Sequence, residues 1–547
     1  MSVRESDEYT TRIVPMNYGF VIDNRKCIGC HACTVACKSE HDVALGVNRT
    51  SVKYIEHGVF PDSVREFFIQ RCNHCEAAPC VEICPTSALY TRADGIVDFD
   101  NRRCIGCKSC MQACPYDALY IDPVTNTSAK CNYCAHRVDR GREPACVVIC
   151  PVEAIISGDL DDPDSTIATI VARESVVVRK PEKDTYPNLF YVKNDSSLLS
   201  SSASPRRKDY LWSEQATGVG HYAKYAAELP AVDERDLLVR PALESDAGDG
   251  TALNPGAIDK VVRENEENRT SRRVYDIPSK GILWGWEVPA YIWTKAIATG
   301  TFLVFYLWQM LTGETNPALE LKALIATLIF LGLTGGLLVA DLNRPDRFLY
   351  VLLRPQWSSW LVRGAYLIAG FGFVATLLLL NNLMGWPLQW LAVPGIILSV
   401  LGAAYTAFLF AQARGRDLWQ SPLSSLHMVV HSLIAGATTI MILNGGSSAF
   451  EVGILRYGLF TNVILITLEV MVPHATTDAH KAVKLMTRGY YSGIFYAGMV
   501  VGNLVPLVMI SLVEGDHYRI MAGVFALLGI FLTEFVRVRV PQLIPLS

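Results

Sequence analysis

Beyond residue 280 the apolar positions gather into long blocks, near 288–311, 321–340, 359–380, 388–411, 424–443, 457–473, 490–513 and 520–536. A helix needs ~20 such residues to cross the hydrocarbon of a bilayer. With connectors this short, eight consecutive helices would leave no polar face for water, so the pattern predicts a transmembrane bundle and not a soluble helical core. The sixth block is as short as any of the eight and carries Glu469. Before residue 194 the pattern is the reverse, with short apolar stretches broken by glycine, proline and charge. VIDNRKCIGCHAC at 21–33 is echoed by DFDNRRCIGCKSC at 98–110. Each copy predicts a short strand running into a loop, and a small helix is expected after the loop in CPYDALYID and CPVEAIISG. Residues 170–193 predict further strands. The stretch between the halves is rich in Ser, Asp, Glu and Asn, and is either a tether or an ordered wrap. The chain divides accordingly into 1–193, a polar linker over 194–280, and a membrane domain over 281–547.

Composition gives the front half its chemistry. All sixteen cysteines fall within its first 150 residues, in four quartets: Cys27, Cys30, Cys33 and Cys37; Cys72, Cys75, Cys80 and Cys84; Cys104, Cys107, Cys110 and Cys114; Cys131, Cys134, Cys146 and Cys150. The dense spacing of the first and third quartets is too tight for disulfides between neighbours and suits three thiolates curling around an iron-sulfur cube. Zinc ribbons use pairs of C-x-x-C and have no need of a third cysteine two residues on. Three quartets end in Cys-Pro, as does the bacterial ferredoxin run, whose last cysteine crosses to the partner cluster. The fold class expected is therefore multidomain: an α+β double-ferredoxin-like iron-sulfur domain, then an all-α eight-helix transmembrane bundle. Four 4Fe-4S clusters are expected, and no cysteine remains for a disulfide or a nucleophile.

Charge bears on partners and on sidedness. A net charge of −4 with no basic stripe points away from nucleic acid. The stretch MSVRESDEYTTRIVPMNYGF has neither an apolar signal core nor a twin-arginine pair, so export of the front half is not expected. Eight spans put both ends of the bundle on one side. Arg344, Arg347, Arg354, Arg414, Arg416, Lys481, Lys484, Arg488, Arg537 and Arg539 lie on that side, against Lys322, Arg456 and Arg519 opposite. Ten against three predicts a multi-pass protein of the inner (cytoplasmic) membrane with the cysteine domain in the cytoplasm. Arginines that dock the cysteine domain would mislead that count.

The four quartets, together with the tail VRKPEKDTYPNLFYV, resemble the four-cluster electron-transfer subunits of complex iron-sulfur molybdoenzymes, such as those of dimethyl sulfoxide reductase and polysulfide reductase. DLNRPDRFLYVLLRPQWSSWLVRGAY, YTAFLFAQARGRDLWQSPL and PQLIPLS resemble the NrfD-type anchor, the quinone-exchanging subunit of polysulfide reductase. The chain thus reads as a fusion of the two. The resemblance implies a molybdopterin catalytic subunit on a separate chain, since no stretch of the necessary length is found here. It also implies crossed ligation, in which Cys27, Cys30 and Cys33 share a cluster with Cys150, and Cys131, Cys134 and Cys146 share one with Cys37. Likewise Cys72, Cys75 and Cys80 pair with Cys114, and Cys104, Cys107 and Cys110 with Cys84. Some relatives replace a cysteine of the third quartet, and this chain keeps all four. Its first quartet is followed by Lys38 in place of proline, read as a change of loop exit without loss of a ligand.

Polar groups inside apolar spans are costly and usually functional. Glu287, Tyr291 and Lys295 follow one another at i, i+4 and i+8 on one face of the first span, and Tyr405 lies in the fourth. An acid and a phenol one turn apart can serve a quinone's carbonyls and its protons, and the resemblance implies a quinone (menaquinone or ubiquinone) near the first and fourth spans. A helix-start acid and an interfacial aromatic are the plain alternatives. His427, His431, His474 and His480 raise the question of a haem, but their spacing is irregular and the related anchors hold none, so no haem is expected. A proton relay or an interfacial cluster suits them better. Asp341 reads as a loop-ordering residue.

The reading is a membrane-bound electron-transfer subunit that performs the quinone half-reaction for a catalytic partner. The alternative is a redox-driven proton-translocating module using Lys295, Glu469 and Glu534. A quinone site needs a pocket near one face, whereas translocation needs a polar path through the bilayer.

Overall fold

The computed structural model describes residues 16–59, 61–192, 199, 272–277 and 280–546. The front half is a small α+β domain. Tyr18–Ile22 is central to a four-stranded sheet, antiparallel to Ile155–Asp159 on one side and parallel to Leu189–Val192 on the other, with Val176–Val177 at the edge. A long hairpin, Thr50–Val59 with Asp62–Arg71, gains a third strand from Arg272–Tyr275. The linker expected over 194–280 lies mostly outside the described residues, but its end is this wrapped strand, held by a buried Arg273–Asp276 pair at 2.7 Å. Two ribbons, Leu89–Thr91 with Val97–Phe99 and Tyr120–Ile121 with Ser128–Ala129, complete the domain.

Two local expectations are corrected. The small helices do not follow the last cysteines. They precede or carry them, as Ala32–Glu40, Pro79–Glu82, Ser109–Ala113 and Ala145–Val148. The proline after Cys84, Cys114 and Cys150 disfavours helix at the cysteine itself, and three residues on Ser87, Asp117 and Glu153 each turn left-handed, at φ 50°, 57° and 51°. The first quartet has no such proline, and its helix continues past Cys37 to Glu40 while Lys38 donates to the Ala44 carbonyl at 2.9 Å. Second, the Ile- and Val-rich run expected as strand includes a helix, Thr166–Arg173. Ser165 caps it, accepting from the Ala168 amide at 3.1 Å, and Ile167 buries its apolar face.

The back half is a bundle of eight helices long and apolar enough to span a membrane: Glu287–Thr312, Pro317–Ala340, Trp360–Met384, Gln389–Gln412, Ser424–Asn444, Ala449–Met471, Ser492–Leu512 and Asp516–Leu543. The sixth starts eight residues before the expected block. Glu451 and Arg456 mask its start in the hydropathy pattern, but Glu451 closes a capping box with Ser448 and Arg456 reaches the Ile510 carbonyl. The first span is the axis of the bundle, packed against the second, fourth, fifth and eighth. It meets the fifth at Gly300 and Gly436, where a Cβ on either would strike the other helix's backbone. The seventh carries a π-bulge over Val500–Leu504. A short amphipathic helix, Thr477–Arg488, joins the sixth span to the seventh on the side of the cysteine domain.

Candidate functional site

The repeat in the sequence is a repeat in backbone shape. Gly29 and Gly106 of the two C-I-G-C loops sit at φ 69° and 70°, and the residues after the second cysteine, His31 and Lys108, at 59° and 61°. A side chain at Gly29 would strike the Phe67 ring. These left-handed steps turn successive thiols inward, a conformation glycine adopts at least cost.

The four sets of sulfurs are drawn from distant segments. Cys27, Cys30, Cys33 and Cys150 line one cavity, and Cys84, Cys104, Cys107 and Cys110 another. Cys37 lies within electrostatic range of Cys131, Cys134 and Cys146, and Cys114 within range of Cys72, Cys75 and Cys80. Burial pushes the Cys33 thiol up to about 11 and Cys37 to about 12, with neighbouring thiols adding to the shift. Bare sulfurs here would hold their protons, so thiolate character at neutral pH calls for a metal in the proton's place. Buried Arg71 leaves Nε and Nη2 without a partner while Nη1 lies 3.2 Å from Cys146 Sγ. Four converging sulfurs per site and orphaned donors beside them fit an anionic iron-sulfur cube.

The sets run from surface to membrane. Cys30 is exposed, as is Ile28, which lines the same cavity. The Cys84 set instead lies against the bundle. The Cys107 carbonyl accepts from Trp284 Nε1 at 3.2 Å, and Lys108 donates to Asp341. Arg347 donates to the carbonyls of Asn101 and Cys104, Arg344 to that of Thr125, and Arg414 pairs with Glu82. Arg416 Nε reaches Gln112 Oε1 at 2.8 Å, and its Nη1 donates to the carbonyls of Pro541 and Ile544. Gln542 Oε1 accepts from Gln112 and from the amides of Leu283 and Trp284. Gly415 touches the Gln112 and Cys114 carbonyls so closely that no side chain fits. Arginines counted for sidedness are thus docking residues. Asp341 is one too, in keeping with a loop-ordering role.

Below this interface Trp284 stacks on Trp419 and Phe410. Tyr291 and Tyr405 are both 3% exposed, near each other, and each within reach of the Thr406 hydroxyl. Lys295 Nζ lies 4.3 Å from the Tyr405 ring centre and donates to the Ala403 carbonyl. Lys295 therefore belongs with the tyrosines. Glu287 is buried one turn before Tyr291 on the same face. Gly364 of the third span makes room for the Tyr405 ring, a role that no spacing announces.

A second polar group joins the fifth, sixth, seventh and eighth spans. Arg537 bonds to Glu469 at 2.9 Å, to Glu534 at 3.1 Å and to His427. His427 and His431 both meet Asn462 Oδ1, at 2.7 and 3.1 Å, and Asn462 donates to Asn503 on the π-bulge. The two histidines of the group lie on one helix, one turn apart, and their rings touch. His474 and His480 stand outside it, on the connector after the sixth span. The asparagines escape a reading of the sequence because each is a single uncharged residue in an apolar block, with no spacing that announces its partner.

Residues 26–89 and 64–160 match families described as 4Fe-4S dicluster domains, and 278–544 match the family described as polysulphide reductase, NrfD. The front of the chain is 43% identical over 201 residues to the B subunit of tetrathionate reductase from Salmonella typhimurium, covering 36% of this chain and 80% of that one. It is also 43% identical over 187 residues to the B component of polysulfide reductase from Wolinella succinogenes, 34% of this chain and 98% of that one. The chain belongs to this family of reductase iron-sulfur subunits. Protein NrfC of Escherichia coli is a further relative, 41% identical over 186 residues, 34% of this chain and 83% of its own. Family membership makes this an iron-sulfur electron-transfer protein, here in one chain with an NrfD membrane domain.

Proposed function

We propose that the chain carries electrons between a molybdopterin catalytic subunit on a separate chain and a membrane quinone, menaquinone or ubiquinone, held beside Tyr291 and Tyr405. The supporting observation is the order of the four cysteine sets, from exposed Cys30 to Cys107, whose carbonyl is bonded to Trp284 at the head of the first span. Bound clusters supply one-electron steps. The chain's own residues supply the rest. The crossed sets hold the clusters in a row, the exposed loop of Ile28 and Cys30 offers the catalytic partner a point of approach, and the phenols of Tyr291 and Tyr405 donate to the quinone's carbonyls. Lys295 fixes the Tyr405 ring, and Glu287 is placed to exchange protons from the side of the cysteine domain. Purification of the native complex tests the reading. A pterin-bearing companion chain and an extractable quinone are expected, and a complex lacking both would refute it.

A second reading, proton movement coupled to turnover, is favoured by the Glu469–Arg537–Glu534–His431–Asn462–Asn503 group. It enters near the end of the sixth span and reaches the middle of the seventh. Among the described residues this bonded chain ends at Asn503 and the Gly498 carbonyl. That is a path through part of the bilayer. Quinol turnover in sealed proteoliposomes, with and without an external pH change, separates the two readings.

A further inference from the structure

Each of the four C-x-x-C loops follows a cation: Lys26, Arg71, Arg103 and Lys130. The two before C-I-G-C, Lys26 and Arg103, face solvent. The two before C-N-x-C, in RCNHC and KCNYC, are buried, Arg71 at 1% exposure and Lys130 at 0%. The loops match in backbone as well, since His74 and Tyr133 both turn left-handed, at φ 45° and 60°. A buried cation is costly unless something anionic faces it. The bonds these two make go to sulfur, a ring face and backbone carbonyls. Arg71 meets Cys146 Sγ at 3.2 Å and lies 4.4 Å from the centre of the Phe20 ring. Lys130 Nζ donates to the carbonyls of Val97 and Cys131.

Their neighbours place them in two different gaps. Arg71 feels Cys33 of the Cys27 set and Cys131 and Cys146 of the Cys37 set. Lys130 feels Cys131 of the Cys37 set and Cys72 and Cys80 of the Cys72 set, with Asp98 a lesser contributor.

We propose that Arg71 and Lys130 are potential-setting cations, one in each gap flanking the Cys37, Cys131, Cys134 and Cys146 site, which makes that site the deepest electron well of the four. Taking up one electron adds one negative charge and no proton, so a fixed cation beside a site stabilises its reduced form. Net charge and hydrogen bonds to sulfur are the levers that set such potentials. The site flanked by both cations feels both, its neighbours on either side feel one each, and the site against the membrane domain feels neither directly. Beside that last site Lys108 has its charge met by Asp341, and Arg344 and Arg347 have theirs met by Asp346. Two electrons arriving together from a catalytic partner can thus be parted, one waiting in the well.

This inference rests on the assignment of the cysteine sets as cluster sites. The test is an EPR-monitored redox titration of the whole chain in its complex, with iron measured on every sample. The variants are Arg71→Gln and Lys130→Met, with Arg71→Lys and Lys130→Arg keeping the charge. Each neutral variant should lower two of four midpoints, one common to both variants and the highest of the wild type, with one midpoint unmoved in either. A tenfold change in the reduction equilibrium at the shared site is about 59 mV for one electron. The charge-keeping variants should restore it. With iron full, midpoints that all move together or not at all overturn the proposal. An equal shift in Arg71→Lys assigns the effect to the hydrogen bond to Cys146 and also overturns it. Iron lost from the neutral variants alone makes these cations assembly residues instead. Iron lacking in the wild type would sink the cluster reading itself.

Discussion

The ammonium of Lys108 lies 2.8 Å from an Asp341 carboxylate oxygen and 2.7 Å from the Asp341 carbonyl, tying the innermost cysteine loop to the end of the second span. Lys108 is buried and Asp341 nearly so. Asp341→Ala leaves a buried ammonium with one acceptor, and breaking such a pair costs ~3–5 kcal/mol, here toward the lower end because the carbonyl stays. Thermal unfolding should occur at lower temperature. Turnover with quinone should fall further than turnover with a dye that draws electrons directly from the clusters. Equal falls would mean that the pair stabilises the fold without aligning the two halves.

Tyr405→Phe removes a hydroxyl and keeps the ring that Gly364 and Lys295 pack against. Losing one pocket hydrogen bond costs ~1–3 kcal/mol, or about 5- to 150-fold in quinone-linked rate. Iron content and dye-linked turnover should not change. Unaltered quinone turnover would remove Tyr405 from the site.

Crossed ligation has a spectroscopic signature. Roughly sixteen irons per chain are expected from four cubes. Cys30→Ser and Cys150→Ser should disturb the same EPR signal, and Cys37→Ser and Cys134→Ser a different one. If Cys150 grouped instead with Cys134, the crossing would be wrong.

Sidedness is open to direct measurement. Arg344, Arg347, Arg414 and Arg416 bond to the cysteine domain and Arg537 within the bundle, and Lys322, Arg456 and Arg519 opposite are bonded as well, so discounting bonded cations does not reverse the ten-to-three bias, which favours the cytoplasm. A protease site placed within 200–270 should survive digestion of intact spheroplasts. Cutting from outside would reverse the assignment.

Long apolar blocks and cysteine spacing make the bundle and the metal chemistry legible, because each is a local pattern with one dominant physical cause. Errors arise where local patterns compete. IVAR, at the start of the 170–193 stretch, reads as strand by its β-branched residues, yet it ends the helix Thr166–Arg173 that the Ser165 cap and the buried face of Ile167 set. Charge groups Lys295 with Glu469 and Glu534, and the fold keeps Glu534 within electrostatic range of Lys295 while the packing of the first span on the fourth sets it over Tyr405, which charge does not announce. Docking by Gln112, Arg416 and Gln542 joins residues hundreds of positions apart, and no window along the chain contains it. The cations before C-N-x-C are in plain view in the sequence. Their burial is not, because the same residue types before C-I-G-C are exposed.

Gln542 sits on the last helix of the bundle, yet it closes the seam between Gln112 and the entry to the first span. Translation reaches it only after seven spans have been threaded into the lipid. Contacts from Asp341, Arg344, Arg347 and Arg414 belong to earlier parts of the bundle and can form before it, so docking is a progressive event whose last stitch, at the head of the first span, is one glutamine amide on the eighth helix.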